Sequence, residues 1–366
     1  MKFYEKLIST LPRRTIAAGL LLYRSSCRRH FTVIFTGCLL TMIVPVIYNT
    51  RCYAQGNNPQ LLFRDTNFGN QYGRLKKASL SQPDGPRETA PLSCELVHFA
   101  ADRGVCITAR RGAFTTYEAI IFGPNFQPIF RLPLEGPPTH VRVAPDGRVA
   151  AITIFVRDET DEVEIEAEEL SFSTLTTIVD LHQGNVLVED MAAEFTVRLG
   201  GKRFQAANMN FSSVTFTRDG NQFYATLQTK TQTSLTDERT FLVKGILAFG
   251  EVEILRDDIE NPSLSPDNTK IAFTKRVDLA SGRRIKRLSV LDLQTLVEQP
   301  LAETRNVDEQ VEWLDNSQVL YSLPDEATAA RRNIWVVQAN GRGNPNPRRF
   351  AKDASSPAVV RNGSGL

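Results

Sequence analysis

The sequence predicts an all-β chain folded as a six-bladed β-propeller of four-stranded blades, with a last blade assembled from both ends of the chain. Three observations lead there. One hairpin signature occurs five times, its spacing is mostly in the forties, and strand-like runs without local partners lie at both ends of the repeat region.

The hairpin signature reads "ELVHFAADRGVCITAR", "THVRVAPDGRVAAITIFV", "SSVTFTRDGNQFYATLQT", "NPSLSPDNTKIAFTKRV" and "QVEWLDNSQVLYSLP". Each copy has a short alternating apolar run, then an aspartate with a nearby Gly or Asn, then a second run rich in Val, Ile, Phe or Tyr. The aspartate can bond its own backbone in an Asx-turn, and Gly or Asn accepts the positive φ that a tight hairpin demands. The aligned aspartates are Asp102, Asp146, Asp219, Asp267 and Asp315. Five copies at equivalent turns give these carboxylates a structural role, holding backbone N–H groups, rather than a catalytic one.

A third run follows each hairpin, as in "EAIIFGPNFQP", "TTIVDLHQGN", "TFLVKGILAFG", "LSVLDLQTL" and "NIWVVQANGRG", and several lead into a fourth, as in "QPIFRLPL" and "EVEILRD". Four strands per unit at this period describe a propeller blade. The aspartates are 44, 73, 48 and 48 residues apart. The long interval holds an insertion at about 157–210, with the acidic stretch 158–169 and an extra hairpin, "FTVRLGGKRFQAA", turning at Gly200 and Gly201. Seven blades is the alternative, with a degenerate blade hidden in that interval.

The ends supply the rest. "SSPAVVR", Ser355 to Arg361, resembles a first strand with nothing to pair with, and "PQLLFRD" and "YGRLKKASLS" upstream are strand-like. Pairing the N-terminal strands of 55–91 with that C-terminal strand closes the ring and removes exposed sheet edges.

Residues 1–54 read as an export signal. A basic region, 1–30, precedes the uncharged run "FTVIFTGCLLTMIVPVIY", Phe31 to Tyr48, the order of a secretory leader. Cys52 and Ala54 fit the small residues of a cleavage site, so the expected mature chain starts at Gln55 in the periplasm or outside the cell. The alternative is a retained membrane anchor. Sec and twin-arginine routes both stay open, because "RRHF" at Arg28 resembles a twin-arginine signal. Three of the five cysteines fall in this leader and leave Cys94 and Cys106. A hairpin turning near Asp102 and Arg103 sets Cys106 against Phe99. Cys94 is then about five residues further along, too far at roughly 3.3 Å per residue for a disulfide unless the chain bends before Glu95. The bridge is left open.

The formal net charge is +2 at neutral pH, which excludes a field that would draw the fold to nucleic acid or anionic lipid. Membrane contact is expected only through an uncleaved N-terminal segment. No G-x-S-x-G elbow and no Walker phosphate loop occurs.

"APDG" at Ala144 and "SPDN" at Ser265, with strand residues such as "KIAF" and later "VLDL", resemble the repeats of TolB-like propellers, also called WD40-like repeats. The resemblance spans about Leu92 to Arg361. It implies the propeller fold, and beyond it several functions: translocation scaffolds, sensors, peptidase gates and some lyases. The TolB-like lyases use clustered histidines around a metal, and nothing here aligns with such a cluster. TolB itself also carries an α/β domain ahead of its propeller, for which residues 55–91 are too few.

Propellers bind where loops from different blades meet at a channel mouth. Those loops precede each first strand and follow each second strand. The candidates there are His140, Asn210, Glu260, Asn261, Asp308, Glu309 and Ser356, a hydrogen-bonding funnel rather than an apolar pocket. His140 is the one plausible metal ligand, and a lyase or hydrolase would work with His140 and channel-facing carboxylates. The eight carboxylates between Asp158 and Glu169 read as a solvated loop, or as a dock for a basic partner, and lack the D-x-D-x-D-G order of a calcium loop. The expectation is a non-catalytic, monomeric binding scaffold for a protein, peptide or envelope component, using no cofactor and no metal. A propeller lyase or hydrolase is the alternative.

Overall fold

The computed structural model describes residues 59–157, 172–231, 234–340 and 346–361. The chain divides into two units, Met1–Ala54 and Gln55–Leu366, and every described residue lies in the second. The leader and the acidic stretch 158–169 fall outside the described residues. Among the described residues no helix is long and apolar enough to cross a membrane.

Six sheets follow one another along the chain. Blade 1 takes β1 (Gln60–Asp65), β2 (Arg74–Ser79) and β3 (Glu88–Ser93) from the N-terminal side. Blade 2 holds β4 (Leu96–Ala100), β5 (Arg103–Arg110), β6 (Thr116–Phe122) and β7 (Pro128–Leu134). Blade 3 holds β8 (Pro138–Val143), β9 (Val149–Arg157), β10 (Phe172–Asp180) and β11 (Val186–Val188). Next come a single helical turn, α1 (Met191–Glu194), and the hairpin β12 (Thr196–Leu199) and β13 (Lys202–Arg203). Blade 4 is β14 (Ala207–Phe216), β15 (Gln222–Thr231), β16 (Ser234–Ile246) and β17 (Glu251–Asp257). The hairpin joins its outer edge, with β12 parallel to β17. Blade 5 is β18 (Glu260–Leu264), β19 (Lys270–Asp278), β20 (Arg284–Asp292) and β21 (Glu298–Pro300). Blade 6 is β22 (Glu312–Trp313), β23 (Gln318–Pro324), β24 (Arg332–Gln338) and β25 (Arg348–Ala351).

The last strand, β26 (Ala354–Val360), returns to blade 1 and pairs antiparallel with β1. It becomes the innermost strand of that blade, in the order β26-β1-β2-β3. The ring is therefore closed by main-chain hydrogen bonds between the two ends of the folded unit, which leaves neither end as a template for another chain.

Six hydrophobic clusters hold the blades together, one at each interface between neighbours. Period-two alternation produces them. Val105 and Ile107 of β5 pack toward blade 3, whereas Cys106 between them packs toward blade 1. Likewise Ile271 and Phe273 of β19 face blade 4, and Ala272 faces blade 6. A strand buried on both faces reads as a continuous apolar run, and each large side chain removed from water stabilises by about 1.5–3 kcal/mol. Six interfaces close the circle with six blades.

The repeated aspartates do what turn chemistry asks. Asp146, Asp219, Asp267 and Asp315 accept backbone N–H bonds from Arg148 (3.0 Å), Asn221 (3.2 Å), Thr269 (3.1 Å) and Ser317 (2.7 Å), each two residues on. Asp102 instead pairs with Arg103 at 2.7 Å, beside Ala101 at φ 51°. The same device turns third strands into fourth: Asp180 holds the N–H groups of His182 and Gln183, and Asp292 those of Gln294 and Thr295.

Cys94 and Cys106 form a disulfide, with Cα atoms 5.3 Å apart. The hairpin register differs from the sequence expectation: Cys106 lies opposite Val97, not Phe99, because the turn pairs Ala100 with Arg103. That shift shortens the gap, and a bend at Glu95, just before β4, brings Cys94 back over the strand.

Candidate functional site

The Asx-turns occupy one face of the ring. The opposite face carries the starts of the inner strands and the loops that follow the second strands. The inner strands are β26, β4, β8, β14, β18 and β22.

Between the two faces the channel is bridged. Arg142 of β8 donates to the Glu312 carboxylate of β22 at 2.5 Å and to the Val311 carbonyl at 2.7 Å. Val141 N–H also donates to Gln310 Oε1 at 3.1 Å. Blades 3 and 6 lie opposite each other in a ring of six, so these contacts span its full width. His98 of β4 completes the group, with Nε2 3.1 Å from Arg142 and 3.5 Å from Glu312. Arg361, just beyond β26, reaches Glu312 from the turn side at 3.5 Å. Two cations and the imidazole hold the Glu312 carboxyl down to about 2 in spite of its burial.

Sequence reading missed this group, although its signal is present. His98, Arg142, Thr215 and Ser263 each stand four residues before their turn aspartate, and Glu312 three before. They occupy equivalent polar positions of the inner strands. Several knit each blade to the next, as where Val143 N–H donates to His98 Nδ1 (3.1 Å) and Leu264 N–H to Thr215 Oγ1 (3.0 Å).

The predicted mouth residues separate into three kinds. Asn261 and Ser356 are ties inside the fold. Asn261 accepts from Ser213 at 2.9 Å and donates to Thr274 at 3.1 Å, while Ser356 Oγ accepts from Val97 N–H at 2.9 Å. Both sit at β-bulges with positive φ, 52° and 50°. At these two places the segment expected as a loop ahead of a first strand is therefore a bulged inner strand, whose Asn or Ser serves the bulge. Asn210 likewise lies inside β14 and accepts from Ser173.

A second set gathers over the channel. Lys286 bridges Glu260 (3.1 Å) and Asp308 (2.6 Å), and Glu260 also pairs with Arg276. His140 sits beside them. Its Nδ1 is 3.1 Å from Thr139 Oγ1, and its Nε2 is buried with no hydrogen-bond partner. Burial pushes its pKa down to about 3, helped by the charges of Arg142 and Lys286 and offset only in part by Asn261 and Asp308. Among the described residues no group of three or more His, Cys, Asp or Glu is placed to hold a metal ion.

Glu309 belongs to the third set, which lines a cavity of about 290 Å³. Blades 1, 2, 3 and 6 build it, with Arg64, Glu95, Arg111, Tyr117, Glu309 and Arg332 as its polar and aromatic wall and Leu96, Pro137 and Pro138 as its apolar part. Arg64 and Arg111 both pair with Glu95, at 3.2 and 2.7 Å, and Arg332 pairs with Glu309 at 2.9 Å. Burial raises the Glu309 pKa, against the pull of Arg332. Only Glu309 and Ser356 of this wall were legible as candidates. Arg64 and Arg332 come from the ends of a second and a third strand, which the repeat alignment does not single out, whereas Arg111 opens the loop after a second strand, where the alignment names the loop but not this residue.

A solved structure shares this architecture. TolB from Acinetobacter baumannii aligns over 82% of this chain and 66% of its own, with a TM-score of 0.50 and 15% identity. The fold is that of a TolB-like propeller. A puromycin-hydrolyzing peptidase from Mycobacterium tuberculosis aligns over 81% of this chain and 45% of its own (TM-score 0.47, 10% identity). The oligogalacturonate lyase of Vibrio parahaemolyticus aligns over 81% and 85% (TM-score 0.38, 12% identity). This TolB-like chain thus spans just under two thirds of the length of TolB. No family profile and no curated protein matches the sequence.

Proposed function

We propose that this TolB-like propeller is an exported, non-catalytic scaffold that binds a protein, peptide or envelope component on its mouth face, in translocation or envelope maintenance. The observation that carries the reading is the cavity shared by four blades beside a channel bridged from blade 3 to blade 6. A ligand there rests on the ring instead of passing through it, and propellers present such sites where strand ends converge.

The rival reading, a lyase or hydrolase worked by His140, meets poor chemistry. With its pKa near 3 and the charges of Arg142 and Lys286 close by, the imidazole is a weak base at neutral pH. Export is supported by the leader sequence and by the Cys94–Cys106 bridge, which belongs to an oxidising compartment. N-terminal sequencing of the mature protein should find Gln55 first; an intact leader would favour the anchored form.

The scaffold itself is tested by quantitative crosslinking with residues 55–366 as bait in envelope extract and a heat-denatured control. A saturable partner is expected, weakened by Asp308→Asn, a change at a side chain that is 60% exposed and gives up its ion pair with Lys286 without adding a like charge beside it. Absence of any partner above control, together with a stoichiometric divalent ion in the purified protein, would reverse the reading in favour of the enzyme.

A further inference from the structure

The cavity at the mouth has a chemistry of its own. Three guanidiniums, Arg64, Arg111 and Arg332, face two carboxylates, Glu95 and Glu309, so its wall carries one unit of positive charge in excess. The guanidiniums are not equivalent. Arg64 is a buried fixture, with Nε donating to the Cys94 carbonyl at 2.8 Å and its Cζ 4.8 Å from the centre of the Tyr72 ring. Arg111 is two-thirds exposed and turns part of its fork to solvent. Arg332 is pinned through its backbone N–H to Thr66 (3.0 Å) and aims its side chain at Glu309.

Beside this charged wall stands an aromatic ledge. Phe68 and Tyr72, in the loop between β1 and β2, stack 5.9 Å apart with their planes 12° from parallel. Phe68 is 53% exposed and Tyr72 is 37% exposed. Arg331 lies 5.6 Å from the Phe68 ring, and Arg64 joins the ledge to the cavity. Tyr117 lines the cavity, and Phe114, three residues beyond Arg111, is 87% exposed. Exposed aromatics next to arginines are the composition of interface hot spots, because both bury large area at small entropic cost and pair with planar groups.

We propose that this cavity and ledge bind an acidic segment of a protein partner, an Asp or Glu carboxylate entering between Arg111 and Arg332 while a neighbouring aromatic or aliphatic side chain lies on Phe68 and Tyr72. The proposal rests on the scaffold reading and names the chemistry of its partner. Charge decides the class of anion: one excess positive charge matches a single carboxylate, whereas a phosphate dianion would leave charge uncompensated. Geometry decides the source. A chain-terminal carboxylate is captured by backbone N–H nests, and the donors here are side-chain forks. At about 290 Å³ the cavity is at the small end of the roughly 300–1,000 Å³ range of ligand pockets, room for one side chain rather than a whole ligand.

The test uses residues 55–366, disulfide intact, and an array of N-acetylated, C-amidated decapeptides carrying Asp or Glu next to Phe, Tyr or Leu, with Gln-for-Glu copies and free-acid Gln copies. Selected peptides are measured by fluorescence anisotropy. Binding should favour the acidic peptides at least tenfold over their Gln copies, weaken with salt, and fall at least tenfold in Arg111→Gln/Arg332→Gln and about fivefold in Phe68→Ala. Arg111→Gln alone, exposed and outside the blade ties, guards against a misfolded double variant and should lose several-fold. Equal binding of acidic and Gln peptides, preference for the free-acid Gln copies, or indifference to Arg111→Gln would overturn the proposal. The extract crosslinking separates the two readings. A saturable partner unaffected by Arg111→Gln leaves the scaffold standing and removes this site, while the absence of any partner removes the scaffold itself.

Discussion

The backbone N–H of Val143 donates to Nδ1 of His98 at 3.1 Å, across the boundary between blades 2 and 3. Nε2 lies 3.1 Å from the Arg142 guanidinium and 3.5 Å from Glu312, so both ring nitrogens face N–H donors and a second proton would be set against one of them and beside the Arg142 charge. Burial first, and Arg142 next, lower the His98 pKa, and burial lowers that of His140 to about 3. Both rings bind protons more weakly folded than unfolded, where the ordinary value is 6.5. The contribution of the two rings to stability is therefore flat above about pH 6.5 and falls as pH drops below it, as the unfolded chain takes up the protons the folded one refuses. For His140 the window runs down to about 3. Urea midpoints measured between pH 8 and pH 4.5 should show this slope, and His140→Gln should flatten part of it. An unchanged slope would place that ring in solvent.

Arg142 and Glu312 form a buried pair, their side chains 10% and 8% exposed, that spans the ring. Removing one partner of a buried pair leaves the other charge unpaired at a cost of about 3–5 kcal/mol. Glu312→Leu should lose stability on that scale, because it leaves Arg142 without its carboxylate and His98 without its acceptor. Arg142→Met/Glu312→Leu should recover most of the loss, since an apolar pair of similar volume needs no compensation. Chemical denaturation of the two variants and the wild type decides it. A double variant as unstable as the single would mean that the Val311 carbonyl and His98, not the charge pair, set the cost.

The fold was legible because its logic is local and repeated. Asp and Gly at a turn and alternation along a strand are written within about fifteen residues, and the free strands at Gln60 and Ser355 had only each other to pair with. The site was less legible because it depends on what the ring brings together. His140, Glu260 and Asp308 were found as mouth residues and do gather there. Asn261 and Ser356 looked alike in sequence, yet a bulged inner strand uses their side chains to hold the next blade. Arg64 and Arg332 are 268 positions apart, and nothing short of β26 pairing with β1 places them in one wall.

The Cys94–Cys106 bridge closes a loop with a sequence separation of 12, and both sulfurs lie in the cluster between blades 1 and 2. Loop entropy for that size corresponds to about 3 kcal/mol. Cys94→Ala/Cys106→Ala should lower the unfolding free energy extracted from urea denaturation by about 2–3 kcal/mol. Reductant should leave the wild type oxidised in buffer and act only in partly denaturing urea, because Cys94 and Cys106 are 2% and 0% exposed. Rapid reduction in buffer, followed by thiol labelling, would contradict that burial.

The turns touch one another around the ring, and Gly220 shows how closely. It takes φ +64°, and a Cβ built on it would stand 2.8 Å from both carboxylate oxygens of Asp146 in the blade before. Asp146 cannot yield freely, since it holds the Arg148 N–H and pairs with the Arg148 guanidinium at 3.0 Å. Gly200, in the hairpin added to blade 4, takes a similar φ of +58° with nothing within 4 Å. The left-handed conformation alone costs a side chain about 1–2 kcal/mol. Gly200→Ala should lose only that. Gly220→Ala should lose it and in addition about 1 kcal/mol or more from displacing Asp146 and loosening the contact between blades 3 and 4. Urea denaturation of the two variants side by side separates strain from collision: a clear excess for Gly220→Ala shows the turns acting as a packed ring, and equal losses would show each hairpin bearing its own strain alone.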